Sequence, residues 1–233
     1  MANAIMMASG MGTRMRPLTL TTPKPLIKVN NKPMIESVLE TLKEAGVEKI
    51  FVVVGYLGDQ FDYLKDKYDN LEIIKNGDYE TINNISSIYY AREALKLDDT
   101  YICEADLFVK DVNFVKNLGA DYSGYFGTAQ HKQHSDDWGF MLDDVGYITK
   151  IAKGGNWDYN MCGMSFFKKA DANKLADFIE ARYNTEGFEN LFWDDVVNEN
   201  LDSLKIKIHE IKAGDITEID TVEELEEVNK QFS

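Results

Sequence analysis

"AIMMASGMGTRMRP" occupies residues 4–17, and its reading decides the fold. The apolar run Ala4, Ile5, Met6, Met7, Ala8 passes directly into Gly10 and Gly12, then Arg14, Arg16 and Pro17. A short apolar run stopped by glycines is a buried strand leaving the core for a loop. Glycine lets backbone N–H groups approach an oxyanion closely, and successive N–H groups form an anion nest. Arginine adds forked contacts suited to phosphate. The stretch therefore points to phosphate at the end of a first strand. The plainer alternative is a glycine turn with solvated basic residues. Two familiar phosphate loops are excluded by spacing: no Gly-Lys-Ser/Thr follows, and Met15 stands where a dinucleotide fingerprint needs its third glycine.

Working outward, all four prolines (Pro17, Pro23, Pro25, Pro33) fall in the next few residues, with Lys24, Lys28 and Lys32 between them. This predicts a stiff, extended connection. Met34, Ile35, Val38, Leu39 and Leu42 recur at helical spacing up to Ala45, and Gly46 suits the stop. Ile50–Val54 is a continuous apolar run, as a strand buried on both faces requires. Phe61, Leu64 and Tyr68 mark a second helix, Leu71–Ile74 a strand, Ser86 or Ser87 the cap of a helix through Leu95, and Tyr101–Ala105 a strand ending at Asp106. Strand–helix alternation over about 110 residues predicts an α/β fold with a doubly wound, mostly parallel sheet. Ligands then sit beyond the carboxyl ends of the strands, where the glycine loop and Asp106 both fall.

The second half predicts short strands over Tyr122–Gln130, Gly139–Asp143, Tyr147–Ala152 and Met164–Phe167. Helices follow over Ala170–Tyr183 and Phe188–Asn200, then a half-exposed strand through Leu204, Ile206 and Ile208. Thr221 with Glu224 three residues on is a capping box for a last helix. No repeat or linker interrupts the chain, so residues 1–233 read as one domain whose later strands extend the same sheet and cover the cleft.

The net charge of −15 argues against non-specific nucleic-acid binding, which needs excess Lys and Arg. With 44% hydrophobic residues, the chain can build one sizeable core. Cys103 and Cys162 form no disulfide or zinc pattern and read as core thiols in a reducing compartment. No apolar run is long enough to span a membrane, so the expected location is the cytoplasm, away from membranes. His131 and His134, three apart on an expected strand, point to opposite faces, and His209 falls on a polar strand face; no histidine is assigned a role.

The string "GMGTRMRPLTLTTPKPLIKVNNKPMI" resembles the signature of the sugar-nucleotidyltransferase superfamily. That resemblance implies a Rossmann-like nucleotidyltransferase fold and transfer of a nucleotidyl group from an NTP to a phosphorylated acceptor, with loss of pyrophosphate. It implies a nucleotide-binding half over about residues 1–110 and an acceptor-binding half over about 111–233. Asp106 in "CEADLF" and Asp220 in "ITEIDTVEEL" match the two metal aspartates, implying Mg2+. Arg14 and Lys24 match the catalytic cations, on the departing pyrophosphate and on the α-phosphate or acceptor phosphate. Ala8, Ser9, Gly10, Gly12, Thr13 and Arg14, with Asn83, Asn84 and Ser87, match nucleotide contacts. Asn and Ser are also ordinary loop and cap residues. The chemistry suits these groups, because joining two anions needs positioning and charge neutralisation more than covalent help.

Within the superfamily, "NNISSIYYAREAL" (83–95), "DDWGFMLDD" (136–144) and "NLFWDDVV" (190–197) resemble the CTP:phosphocholine cytidylyltransferase branch. The implied substrates are CTP and phosphocholine. Trp138, Phe192, Asp194 and Glu218 match the acceptor-contacting positions, while Trp193 reads as core. Aromatic faces with carboxylates suit a quaternary ammonium, which has no N–H to donate. Phe192 departs from the branch's usual tyrosine. Phosphoethanolamine, 2-aminoethylphosphonate and a sugar 1-phosphate stay open as acceptors. A non-catalytic nucleotide-binding regulatory module is the alternative of another class.

Overall fold

The computed structural model describes residues 1–117 and 121–232. Its centre is β1 (Ala2–Ala8), flanked in parallel by β2 (Lys49–Val54) and β4 (Asp99–Glu104), with β3 (Leu71–Lys75) parallel beyond β2. Between these strands run α1 (Met34–Glu44), α2 (Tyr63–Lys67), α3 (Ile85–Tyr90) and α4 (Arg92–Leu95). The strand period of two sorts each side chain onto one face of the sheet. Ala4, Met6, Ala8, Ile50, Val52 and Val54 pack with α1, whereas Ile5, Phe51, Val53 and Ile102 pack with α3 and with a helix of the second half over Lys169–Arg182. Burial on both faces explains why β2 is apolar from Ile50 to Val54, each fully buried valine or isoleucine contributing about 1.5–3 kcal/mol. The α1 positions Met34, Ile35, Val38, Leu39 and Leu42 are all at most 1% exposed, and Gly46 (φ 76°) ends the helix.

The second half adds β6 (Gly124–Ala129), β7 (His134–Leu142), β8 (Ile148–Asn156), β9 (Tyr159–Phe167), α5 (Lys169–Arg182), α6 (Trp193–Glu199), α7 (Leu201–Leu204) and β10 (Lys207–Glu210). One sheet runs β8-β7-β9-β4-β1-β2-β3, with β6 on β9 and β10 on β6. The antiparallel pairings of β9 with β4, β6 and β7 make the sheet mixed. It is the expected Rossmann-like nucleotidyltransferase architecture. A separate ribbon pairs β5 (Leu107–Val109) with β11 (Ile216–Glu218), ahead of α8 (Val222–Lys230). The predicted Thr221–Glu224 capping box is present. The inward residues of α8, Leu225 and Val228, join Met15, Ile27, Val29, Met34, Phe108 and Ile219 in a third core beneath the glycine loop. No helix among the described residues is long and apolar enough to cross a membrane.

Several local expectations are corrected. The proline-rich connection is not extended: it folds into single 3-10 turns at Thr13–Met15, Leu18–Leu20 and Lys24–Leu26, because the fixed φ of proline suits a first helical turn as well as extended chain. Asn84, rather than Ser86 or Ser87, precedes α3, and the helix to Leu95 breaks at Ala91. The helix over Phe188–Asn200 is interrupted by extended residues Leu191 and Phe192, where Asp195 accepts the Phe192 N–H at 2.9 Å and starts α6 afresh. Leu204 ends α7 instead of opening a strand, since Lys205 turns the chain at φ 50°. His131 lies in a turn at φ 52°, and His209 is 4% exposed rather than on a polar face. Cys103 is buried as expected, but Cys162 is only partly buried.

Candidate active site

A cleft of about 640 Å³ opens at the carboxyl ends of β1 and β4, where a doubly wound sheet places its ligands. Ala8, Ser9, Gly10, Gly12, Thr13 and Arg14 form one wall. Gly12 is held at φ 58°, and a Cβ there would come within 2.8 Å of the Lys24 Cβ. The glycine therefore does two things: it turns the loop and lets Lys24 pass under it. Thr19 Oγ1 pins the turn by donating to Gly12 O at 2.9 Å.

Lys24 is the hub of the site. Its Nζ donates to Asp106 Oδ2 and Asp220 Oδ1, both at 2.6 Å, and Arg14 donates to the same Asp220 oxygen at 2.7 Å. The Lys24 side chain is 9% exposed, the two carboxylates 23% and 19%. Burial alone would lower the Lys24 pKa; Asp106 and Asp220 outweigh it and hold the ammonium above the ordinary lysine value. Desolvation would raise Asp220, but Lys24 and Arg14 keep its carboxyl below the usual range. The ribbon makes this meeting possible, since Glu218 pairs with Leu107 and Ile219 N–H donates to Asp106 O at 3.2 Å.

Around Asp106 the acidic groups are dense. Glu104, Asp106 and Glu218 each bring an oxygen within 4.8 Å of the others. Desolvation, then the Asp106 and Asp220 carboxylates, push Glu218 up to about 8. Glu104 is raised well above its ordinary value by desolvation and by Asp106, Glu218 and Asp194. Asp106 Oδ1 is buried and has no hydrogen-bond partner. An orphaned carboxylate oxygen among hard oxygen donors fits a divalent cation such as magnesium. The expected aspartate pair thus meets at the cleft, with Asp220 engaged by cations and Glu218, expected on the acceptor, also beside Asp106.

Opposite the glycine loop, the Trp138 and Phe192 rings meet edge to face at 5.2 Å. Asp194 lies behind them, 2% exposed, with Tyr125 Oη donating to its Oδ1 at 3.0 Å. Desolvation and the neighbouring Asp195 push Asp194 up to about 7, against that hydrogen bond. Trp193 is core, stacked on Tyr125 at 5.5 Å. Of the expected base-side residues, Asn84 and Ser87 line the cleft. Ser87 Oγ donates to Ser9 Oγ at 3.3 Å, and Asn84 Oδ1 accepts the Trp193 N–H at 2.9 Å, tying the two halves together. Asn83 does not line the cleft; its side chain turns to Asn190 O. Sequence reasoning missed Glu104, Lys153, Asn160 and Cys162, which also line the cleft. Strand alternation offered a signal for Glu104, two residues before Asp106; the others come from β8 and β9, whose register no motif reveals.

Residues 3–144 match the family model described as nucleotidyl transferase. The chain belongs to the nucleotidyl transferase family, within the sugar-nucleotidyltransferase superfamily, and is an enzyme of the nucleotidyl-transferring class. It is 50% identical to the 2-aminoethylphosphonate cytidylyltransferase of Lancefieldella rimae, over 96% of this chain and 90% of that protein. It is 36% identical to the choline-phosphate cytidylyltransferase of Streptococcus pneumoniae, over 97% and 98%. A solved structure of CTP:phosphocholine cytidylyltransferase from S. pneumoniae superposes with a TM-score of 0.89 at 34% identity, covering 100% of this chain and 99% of that one. A putative glucose-1-phosphate thymidylyltransferase from Bacillus anthracis, 16% identical with a TM-score of 0.79, shares the fold.

Proposed function

We propose that the protein transfers CMP from CTP to a small phosphonate or phosphate bearing an alkylammonium group, with 2-aminoethylphosphonate as acceptor. The observation that carries the reaction is Lys24 bridging Asp106 and Asp220 directly beneath the glycine loop. An acceptor oxygen attacks the α-phosphorus, a new P–O bond forms in line, and pyrophosphate departs with the electrons of the broken bond. Backbone N–H groups at Gly10–Thr13 cradle the triphosphate. Arg14, 65% exposed at the cleft mouth, neutralises the leaving pyrophosphate. Lys24 holds the α-phosphate and acceptor oxygens in reach of one another. Asp106 and Asp220 would hold magnesium, with Glu218 in reach, and the ion when bound supplies charge neutralisation between the two anions. Ser9, Asn84 and Ser87 face the nucleoside.

The acceptor assignment rests on the 50% identity to the 2-aminoethylphosphonate enzyme and on the carboxylates of Asp194 and Glu104 at the floor of the acceptor side. Phosphocholine is the second reading, favoured by the Trp138–Phe192 pair and by the S. pneumoniae relative. The retained Arg14, Lys24, Asp106 and Asp220 speak against a non-catalytic module. Pyrophosphate release with CTP against a panel of 2-aminoethylphosphonate, phosphocholine, phosphoethanolamine and a sugar 1-phosphate tests the proposal. The expected result is the highest kcat/KM with 2-aminoethylphosphonate. Turnover confined to the sugar phosphate, or none with any acceptor, rejects it.

A further inference from the structure

We propose that Glu104 selects a primary alkylammonium over a trimethylated one, receiving its N–H donors in a recess that β9 bends to form. The inference deepens the proposed acceptor chemistry and rests on it.

Glu104 ends β4, two residues before Asp106, and lines the same cleft. Among the described residues, no hydrogen bond or ion pair reaches its carboxyl, whereas Lys24 takes Asp106 and Tyr125 takes Asp194. The opposing backbone is shaped around it. Gly163 stands at φ 68°, and a Cβ there would lie 2.9 Å from Glu104 Oε2 and 2.9 Å from Leu107 Cδ2. Over the same residues the β9–β6 ladder loses register, between Met161 and Ser165. A bulge that lets backbone lie against a carboxylate is a device for aiming that carboxylate.

From the cleft, a recess of about 10 Å³ continues between Glu104 and Asp194, walled by Tyr125, Gly163 and the apolar side chains of Met7, Met161, Met164 and Trp193. That volume holds roughly one water-sized group. An –NH3+ head is of that size and brings three donors. A trimethylammonium head is larger, has no donor, and must stay in the outer chamber against the Trp138 and Phe192 rings. The site is therefore two-tiered, and only a primary ammonium reaches the inner tier. Its two-carbon spacer keeps the phosphonate within a few ångströms of the ammonium, in keeping with Glu104 and Asp106 lying within 4.8 Å.

The test is the ratio of kcat/KM for 2-aminoethylphosphonate to that for phosphocholine, measured by pyrophosphate release in wild type, Glu104→Gln and Glu104→Asp. Magnesium titrations and melting curves accompany each protein. Glu104→Gln is isosteric and breaks no hydrogen bond or ion pair among the described residues, so its Tm should not fall. Its ratio should drop by about tenfold or more, the loss expected when a charged partner of an ammonium is neutralised. Partial recovery of the ratio in Glu104→Asp supports the assignment. An unchanged ratio in Glu104→Gln overturns it, whether both acceptors weaken together or the magnesium midpoint moves, either of which marks Glu104 as structural or as a metal ligand. A wild-type enzyme that prefers phosphocholine also overturns it while leaving cytidylyl transfer standing. A wild type inactive with both acceptors strikes the proposed function instead.

Discussion

Replacing Lys24 with methionine keeps the unbranched apolar stem and removes the ammonium group at its end. Of the two carboxylates now paired with it at 2.6 Å, Asp106 would be left without its cation and Asp220 with Arg14 alone. Breaking a buried pair from one side costs about 3–5 kcal/mol. Asp106 and Asp220 are 23% and 19% exposed, so water takes up part of that, leaving about 2–3 kcal/mol. For a chain of this size the loss corresponds to a fall in Tm of about 5–10 °C. Magnesium should restore much of it, because the ion can take over the charge between the two aspartates. The sign with pH follows from Asp220, whose pKa is depressed in the fold. Its contribution is complete above the unfolded value near 4 and disappears as pH falls through the folded one, so the Lys24→Met deficit should shrink in acid. Thermal melts across pH and magnesium concentration read all three effects, and kcat/KM for pyrophosphate release should fall about 10²- to 10³-fold. A variant with wild-type kcat/KM at saturating magnesium would refute the role of Lys24 as the hub.

Three further outcomes follow from the same geometry. Asp106→Asn should lower turnover by about 10²-fold or more and raise the magnesium needed for half-activity, with little change in Tm, since it leaves Lys24 a neutral oxygen partner; unchanged magnesium dependence would remove Asp106 from the ion's ligands. Gly12→Ala places a Cβ against Lys24 at 2.8 Å and strains the left-handed turn, so CTP KM should rise with the loss of about 1 kcal/mol or more of stability; a wild-type CTP KM would show that the loop tolerates the shift. Asp194 is held up to about 7 by burial, so the folded protein binds a proton that the unfolded chain releases near 4. Stability should therefore decline as pH rises from about 4 to 7, and Asp194→Asn should flatten that slope in urea titrations while weakening acceptor binding; an unaltered slope would place the dependence elsewhere.

Where side chains obey a short period, the sequence was readable. The helical recurrence from Met34 to Leu42 marked α1, unbroken apolar runs marked β1 and β2, and Thr221–Glu224 announced its own helix start. The glycine loop and its cation Lys24 were legible because few other chemistries need that string. The breaks in longer helices were not, because they are imposed from outside. Asp195 turning back to the Phe192 N–H restarts α6, a contact that a helical wheel does not show. Cys162 looked like core because its neighbours are apolar; the loss of register in β9 is what brings it to the cleft. Asn83 and Asn84 are adjacent and alike in composition, yet one ties down residue 190 and the other faces the cleft, a difference set by tertiary contact alone.

The ribbon of β5 and β11, with α8 packed beneath the glycine loop, has a consequence for the life of the chain. The Lys24–Asp220 contact spans 196 positions of sequence, against 82 for Lys24–Asp106. Residues 216–230 bring Asp220 to Lys24 and place Ile219, Leu225 and Val228 against Met15 of the loop, so the site beside the first strand draws on both ends of the chain. A chain trimmed from its C-terminal end would lose Asp220 from Lys24 and the α8 side chains from the core under the loop, so damage at one end of the chain is felt at the other.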